Sequence, residues 1–155
     1  MSDRDSWEVH HLKAAVLASE MGTCKSNSNK GAVFVRDNRI LSTGFNGVPS
    51  GFPHPTVCKR KELGIAKGEE LNMCGCAHAE MNAICNAAKE GVSLTGSTLY
   101  CTSEPCTMCM GAIANVGVKR VVYIKPYHHA MSAEIAKYAG INVIQHISEL
   151  VWAHK

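Results

Sequence analysis

The 155 residues contain no uninterrupted apolar run near the roughly 18–20 residues that a membrane-spanning helix needs, which sets aside a transmembrane role. The opening Met1-Ser2-Asp3-Arg4-Asp5 lacks the apolar core of an export signal, so the expected location is cytoplasmic. Charge is sparse as well. Charged residues make up 19% and the formal net charge is +3, too little for the basic stripe of a dedicated duplex-binding protein. Nucleic acid and membrane are therefore not expected partners, whereas a small anionic substrate is compatible. Repeats, low-complexity tracts and linkers are missing too, and 46% apolar content over this length suits one domain, residues 1–155.

Cysteine, by contrast, is plentiful: Cys24, Cys58, Cys74, Cys76, Cys85, Cys101, Cys106 and Cys109. In a short secreted chain they would read as a disulfide framework. With this length and no export signal, reduced thiols and metal binding are the better reading.

Hydrophobic spacing predicts a helix over Ser6 to Glu20, with Trp7, His10, Ala14, Leu17 and Ala18 on one stripe and Gly22 as its stop. Residues 32–35 and 39–43 are β-rich runs around Asp37-Asn38, the chemistry of a tight hairpin turn. Gly44 to Gly68 is a long Gly/Pro-rich loop, and long ordered loops are usually functional. A helix follows from His78 to Glu90, with Met81, Ile84, Cys85 and Ala88 at helical spacing, and a strand over Ser97 to Cys101. Pro105 opens a further helix to about Val116. A buried strand at 120–124, a helix from Ser132 to Ala139 and a last strand at 141–144 complete the reading. Alternation after the hairpin implies an α/β fold: a three-layer α/β/α sandwich with a mixed sheet of about five strands covered on both faces.

Four residues carry the chemistry. His78-Ala79-Glu80 stands at one predicted helix start and Cys106-Thr107-Met108-Cys109 at another, each expected at a strand-to-helix turn on the same edge of the sheet. Cysteines three apart in a first helical turn share a face, and helix N-termini favour the thiolate. His78, Cys106 and Cys109 give zinc three protein ligands and leave one position open, the mark of a catalytic rather than a structural site. Two thiolates blunt the power of the ion to acidify water, so a base is needed, and Glu80 is placed to take the proton and return it to a leaving group. His-x-Glu followed by Pro-Cys-x-x-Cys is the established signature of zinc nucleobase deaminases. Either half alone is weak; the ordered pair on two helix starts is strong. A structural zinc site or a redox dithiol would leave Glu80 without a task.

Gly44-Phe45-Asn46-Gly47-Val48-Pro49-Ser50-Gly51, His78-Ala79-Glu80-Met81-Asn82-Ala83-Ile84 and Ser103-Glu104-Pro105-Cys106-Thr107-Met108-Cys109 together resemble the cytidine and deoxycytidylate deaminase superfamily, over roughly Cys24 to Tyr127. Within it the first two motifs are most similar to the branch acting on deoxycytidylate (dCMP). The resemblance implies hydrolysis of dCMP to dUMP and ammonia, with Zn²⁺ as cofactor. It also implies a sugar contact from Asn46, a pyrimidine contact from the Ala79 backbone N–H, a base border formed by Ser103, Glu104, Pro105 and Cys106, and Tyr127 near the pocket mouth. A homo-oligomer, hexamer or dimer, and feedback by dCTP and dTTP with Mg²⁺ through the Gly-rich loop are further implications.

Two departures stand out. Arginines that the dCMP branch usually carries after the position of Cys24 are replaced by Lys25-Ser26-Asn27-Ser28-Asn29-Lys30, leaving Lys25 or Lys30 as candidates for a 5′-phosphate contact. Pro105 to Ile113 looks more like the tRNA adenosine, guanine and cytosine deaminase branch, which keeps another nucleobase substrate open as an alternative. A zinc-stabilised binding module without activity is the rival from outside enzymology.

By the same resemblance, a second, structural zinc would draw on Cys24, His54, Cys58, Cys74 and Cys76; five candidates exceed four ligands, and reduced loop thiols without metal are the other reading. Cys85 and Cys101 are expected to pack in the core. His10, His11, His128, His129, His146 and His154 show no partner pattern and are expected to be solvated or packing residues.

Overall fold

The computed structural model describes residues 4–25 and 28–147, and its architecture starts from a hairpin. Strand β1 (Gly31–Arg36) returns as β2 (Arg39–Phe45) through Asp37 and Asn38, both left-handed at φ 53° and 57°. That conformation matches the right-handed twist of the two strands, and Asp and Asn tolerate it. β3 (Thr98–Ser103) pairs antiparallel with β1, while β4 (Arg120–Lys125) and β5 (Asn142–Gln145) add in parallel, giving one mixed five-stranded sheet in the order β2-β1-β3-β4-β5.

Strand alternation sends Ala32, Phe34, Leu99, Cys101 and Val121 to one face and Val33, Val35, Tyr100, Val122 and Ile124 to the other. Helix α1 (Trp7–Ser19) covers the second face. Helices α3 (Ala79–Glu90), α4 (Thr107–Asn115) and α5 (Ala130–Tyr138) cover the first, so the three-layer sandwich is as expected. Leu12 on one side, and Phe34, Leu99 and Ile113 on the other, are fully buried, each worth about 1.5–3 kcal/mol of transfer free energy.

The helical stripes differ from expectation. α1 buries Val9, His11, Leu12, Ala15, Val16 and Ser19, leaving Trp7 and Leu17 exposed. Apolar residues surround this helix, so spacing alone did not select a face; the Val33, Tyr100 and Val122 surface of the sheet did. In α3 the buried residues are Ala79, Glu80, Ala83 and Ala87, whereas Cys85 is exposed rather than in the core. Small side chains one turn apart face β2 because Gly44 lets the two backbones approach: a Cβ there would lie 2.3 Å from the Ala79 carbonyl oxygen. Cys101 is buried as expected.

Before α3 the long loop is not featureless: it carries a one-turn helix α2 (Lys59–Glu62) and a 3-10 turn at Leu71–Cys74. His11 is buried and stacks on Trp7, His146 pairs with Glu8, and His154 lies outside the described residues.

Candidate active site

Strand direction decides where the site forms. The C-terminal ends of β2, β3 and β4 and the N-terminal end of β1 lie along the same edge of the sheet. Asn46, Ser103, Lys125 and Lys30 are the residues that flank those ends. Open α/β sheets hold ligands at that edge. Cys106 caps α4 immediately after β3, so a strand-to-helix turn delivers it as expected, with Pro105 one residue outside the helix rather than opening it. Pro105 is fully buried, and its carbonyl accepts a bond from the Ser132 hydroxyl at 2.8 Å. His78 arrives differently. The loop, not a strand, leads directly into α3; an isolated bridge between Gly47 and Ala77, with N–H···O distances of 3.1 and 2.8 Å, ties the end of the loop to the end of β2 and sets His78 as the α3 cap. Asn82 reinforces that tie by donating to the Phe45 carbonyl at 2.8 Å.

The two helix starts bring the predicted ligands together. His78 Nδ1 lies 3.4 Å from Cys106 Sγ and 3.5 Å from Cys109 Sγ, and all three ligand atoms lie within 4.8 Å of one another. One nitrogen and two sulfurs converging at that spacing fit a tetrahedral zinc ion. Neither helix cap has a side-chain hydrogen bond, so both N-termini offer positive potential to the cluster. Cys109 donates to Cys106, which lowers Cys106 and raises Cys109, and His78 is raised by its bond to Cys106 against the opposing effect of burial. An imidazole and two thiols gathered this closely are a donor set that suits a divalent cation.

Glu80 is buried behind these ligands, 7% exposed, and burial pushes its carboxyl up, against its own backbone N–H and the neighbouring His78. That is the direction a group that must both take and give a proton near neutrality requires.

A cavity of about 580 Å³ opens onto this cluster; His78, Ala79, Glu80 and Cys106 line it together with Asn46, Ser103, Glu104 and Tyr127. Asn46 is buried, with its carbonyl oxygen accepting the Lys30 N–H at 2.7 Å and its amide donating to the Ser28 carbonyl at 3.3 Å. Glu104 accepts the Tyr127 backbone N–H at 2.9 Å, and the Tyr127 ring packs edge-on against His129 at 4.4 Å between centroids. Sequence reasoning missed the loop's contribution, Arg60 and Lys67, together with Lys125. The Lys59-Arg60-Lys61 run within a polar loop was the available signal.

Four of the five second-metal candidates gather beside the same cavity. Cys24, Cys74 and Cys76 have their sulfurs within 4.8 Å of one another, with 3.4 Å between Cys24 and Cys74, and Cys58 lies 3.7 Å from Cys74. His54 is exposed and outside the group. Burial and the neighbouring thiols push Cys74 up to about 11 and Cys76 higher still.

Comparison with known proteins agrees with this geometry. Residues 5–125 match the profile of the cytidine and deoxycytidylate deaminase zinc-binding region. The chain is 35% identical over 147 residues to a deoxycytidylate deaminase of Schizosaccharomyces pombe, covering 93% of this chain but only 45% of that protein. It is 38% identical over 127 residues to the deoxycytidylate deaminase of Mycobacterium phage D29, covering 79% of this chain and 97% of the phage protein. A crystal structure of dCMP deaminase from the cyanophage S-TIM5, in complex with dCMP and dUMP, superposes with a TM-score of 0.77 at 32% identity, over 94% of this chain and 100% of that one.

Proposed function

The chain belongs to the cytidine and deoxycytidylate deaminase family, and from that premise we propose that it hydrolyses dCMP to dUMP and ammonia. The observation that carries the proposal is the convergence of His78, Cys106 and Cys109, with buried Glu80 beside them, on a cavity large enough for a nucleotide.

His78, Cys106 and Cys109 would hold zinc, which when bound supplies a Lewis acid that activates water. The protein's own part is proton transfer and positioning. Glu80 takes the proton that water loses as its oxygen bonds to C4 of the base, and hands it to the departing amine, so water and dCMP give dUMP and ammonia in balance. Burial of Glu80 keeps bulk water from competing for that proton. The Ala79 backbone N–H, at the first turn of α3, meets the pyrimidine. Ser103, Glu104 and Pro105 border the base, and Tyr127 closes the mouth. Asn46, oriented by Lys30 and Ser28, keeps its second amide hydrogen for the sugar.

Cys24, Cys58, Cys74 and Cys76 belong to the same proposal as a closed, structural zinc site; four buried or half-buried thiols suit a soft divalent ion, and His54 is left out of the ligand set. A homo-oligomer, hexamer or dimer, and regulation by dCTP and dTTP with Mg²⁺ complete it, on the resemblance alone. A cytoplasmic location is part of the same reading. Among the described residues no helix is long and apolar enough to cross a membrane.

The test is ammonia release across dCMP, CMP, deoxycytidine, cytosine, guanine and a tRNA anticodon hairpin, with zinc content measured in parallel. Preference for dCMP that disappears in Glu80→Gln supports the proposal. Activity confined to another substrate overturns dCMP, and inactivity on the whole panel of a zinc-loaded protein favours a binding module.

A further inference from the structure

The wall of the cavity contributed by the loop is cationic. Arg60 on α2 and Lys67 after it line the cavity together with Lys30 ahead of β1 and Lys125 at the end of β4. Arg60 is the unusual member. It is only 9% exposed, one of its terminal nitrogens donates to the Ala66 carbonyl at 2.8 Å, and its buried Nε has no hydrogen-bond partner among the described residues. A guanidinium stays charged at any pH a protein tolerates, and burying it without a counter-charge is expensive. No carboxylate among the described residues forms an ion pair with it.

Lys30 faces the same situation from the other side. It is lowered by burial and then by the charges of Lys125 and Lys67, with Glu80 opposing, so these cations share one space with the catalytic carboxylate. Like charges gathered around a cavity that a nearly buried, carboxylate-free guanidinium lines suit an anion. The stretch between Cys24 and Gly31 contains no arginine, so the fork of Arg60 is supplied from the loop instead.

We infer that the 5′-phosphate of the substrate is seated by Arg60, Lys67 and Lys30, and that the loop between β2 and α3 thereby selects nucleotides over nucleosides. This rests on the proposed deaminase reading and adds to it the residues that decide whether a phosphate is required. Arg60 presents a planar fork suited to phosphate oxygens; Lys67 and Lys30 act as point charges on either side.

The test is steady-state kinetics of the zinc-loaded enzyme on dCMP and on deoxycytidine, with Arg60→Gln, Arg60→Lys and Lys67→Gln. Removing a charged hydrogen-bond donor should raise KM for dCMP by about tenfold or more while kcat holds, and deoxycytidine kinetics should not change. Arg60→Lys should recover part of the loss. Inorganic phosphate should compete with dCMP; non-competitive inhibition would place the cations at a separate effector site and overturn the assignment. Because Arg60 also braces Ala66, Arg60→Gln could disturb the loop, so exposed Lys67 serves as the second probe. A fall on both substrates alike, or an unchanged KM for dCMP in Lys67→Gln and Arg60→Gln, sinks the proposal. If the wild type deaminates neither substrate, the dCMP reading fails on its own, and calorimetry with dUMP against deoxyuridine still decides the phosphate seat: equal affinities, or a preference for dUMP unchanged in the variants, would refute it.

Discussion

Gly44 offers a direct test of what holds the catalytic elements in register. A Cβ at this position would lie 2.3 Å from the Ala79 carbonyl oxygen and 2.4 Å from the Ala83 nitrogen, both of them backbone atoms of α3. Real Cβ contacts essentially never fall under 3.0 Å, so in Gly44→Ala helix α3 must retreat from β2 by at least about 0.7 Å. Overpacking of this kind costs roughly 1–3 kcal/mol, and the backbone nature of the obstacle argues for the upper end. For a domain of this size about 3 kcal/mol is a fall of roughly 6–12 °C in Tm. The displaced turn carries Glu80 and is capped by His78, and a misplacement near 1 Å can cost on the order of 10²-fold in rate. Gly31→Ala is the control. Its Cβ would clash as badly, at Ala15 O and Ser19 N, but with α1 on the opposite face. Thermal melts, zinc per chain and kcat on dCMP should therefore show both variants destabilised and only Gly44→Ala impaired in turnover at a temperature where it is folded. Equal kcat in the two variants would refute the idea that this close approach positions the site.

Glu80→Gln keeps shape and burial but removes proton transfer, so turnover should fall about 10²–10⁴-fold with zinc content unchanged, as read by coupled ammonia assay and metal analysis; undiminished turnover would exclude Glu80 as the acid–base group. Cys109→Ala should lose the catalytic zinc to dialysis, and Cys74→Ser should lose only the second equivalent, so one zinc per wild-type chain would argue against the four-thiol site. Because Cys74 is pushed up to about 11, the second site must shed protons to bind metal, and its apparent affinity should rise between about pH 6 and 8 in a chelator competition; a flat profile would contradict thiolate ligation. Glu8 feels burial pushing its carboxyl up, but bonds from Arg120 and from His146 at 3.0 Å outweigh it and leave the group lowered. Its stabilisation is present above the unfolded-state pKa and lost as pH falls through the folded one, so Glu8→Gln should flatten the acid limb of a Tm–pH plot by about 0.2–1 kcal/mol, and an unchanged limb would dismiss the network.

Elements with a strong local signature were legible in the sequence. The Asp37-Asn38 turn, the Gly91 and Gly117 stops and the two helix starts all depend on backbone conformation that neighbouring residues dictate. The convergence of His78, Cys106 and Cys109 was legible for the same reason: zinc demands ligand types and spacings that few other tasks explain. The faces of α1 and α3 were not. Their apolar residues lie all round or are small, and the choice of face belongs to the sheet they meet, with Val33 and Val35 selecting one side of α1 and Gly44 the Ala79, Ala83 and Ala87 row of α3. The cationic wall was hidden because Arg60 and Lys67 read as a solvated charge run until the loop is folded back over the cavity.

The same loop is where the proposed second metal would act. Phe52, Val57, Leu63 and Met73 are exposed at 55%, 47%, 51% and 39%, so apolar burial contributes little to the segment between β2 and α3. Beyond its local backbone turns, the Gly47–Ala77 bridge and the Arg60 brace on Ala66 help to order it. Thiols from four points of the chain meet within it. Cys24 follows α1, Cys58 precedes α2, Cys74 closes the 3-10 turn and Cys76 stands two residues before His78. A closed four-thiolate zinc site yields on the order of 10 kcal/mol when it forms, enough to order a loop that lacks a core. Such a clip would act on both halves of the loop at once. Through Cys76 it would set the register of His78, two residues on, and through Cys58 it would hold the start of α2, which carries Arg60.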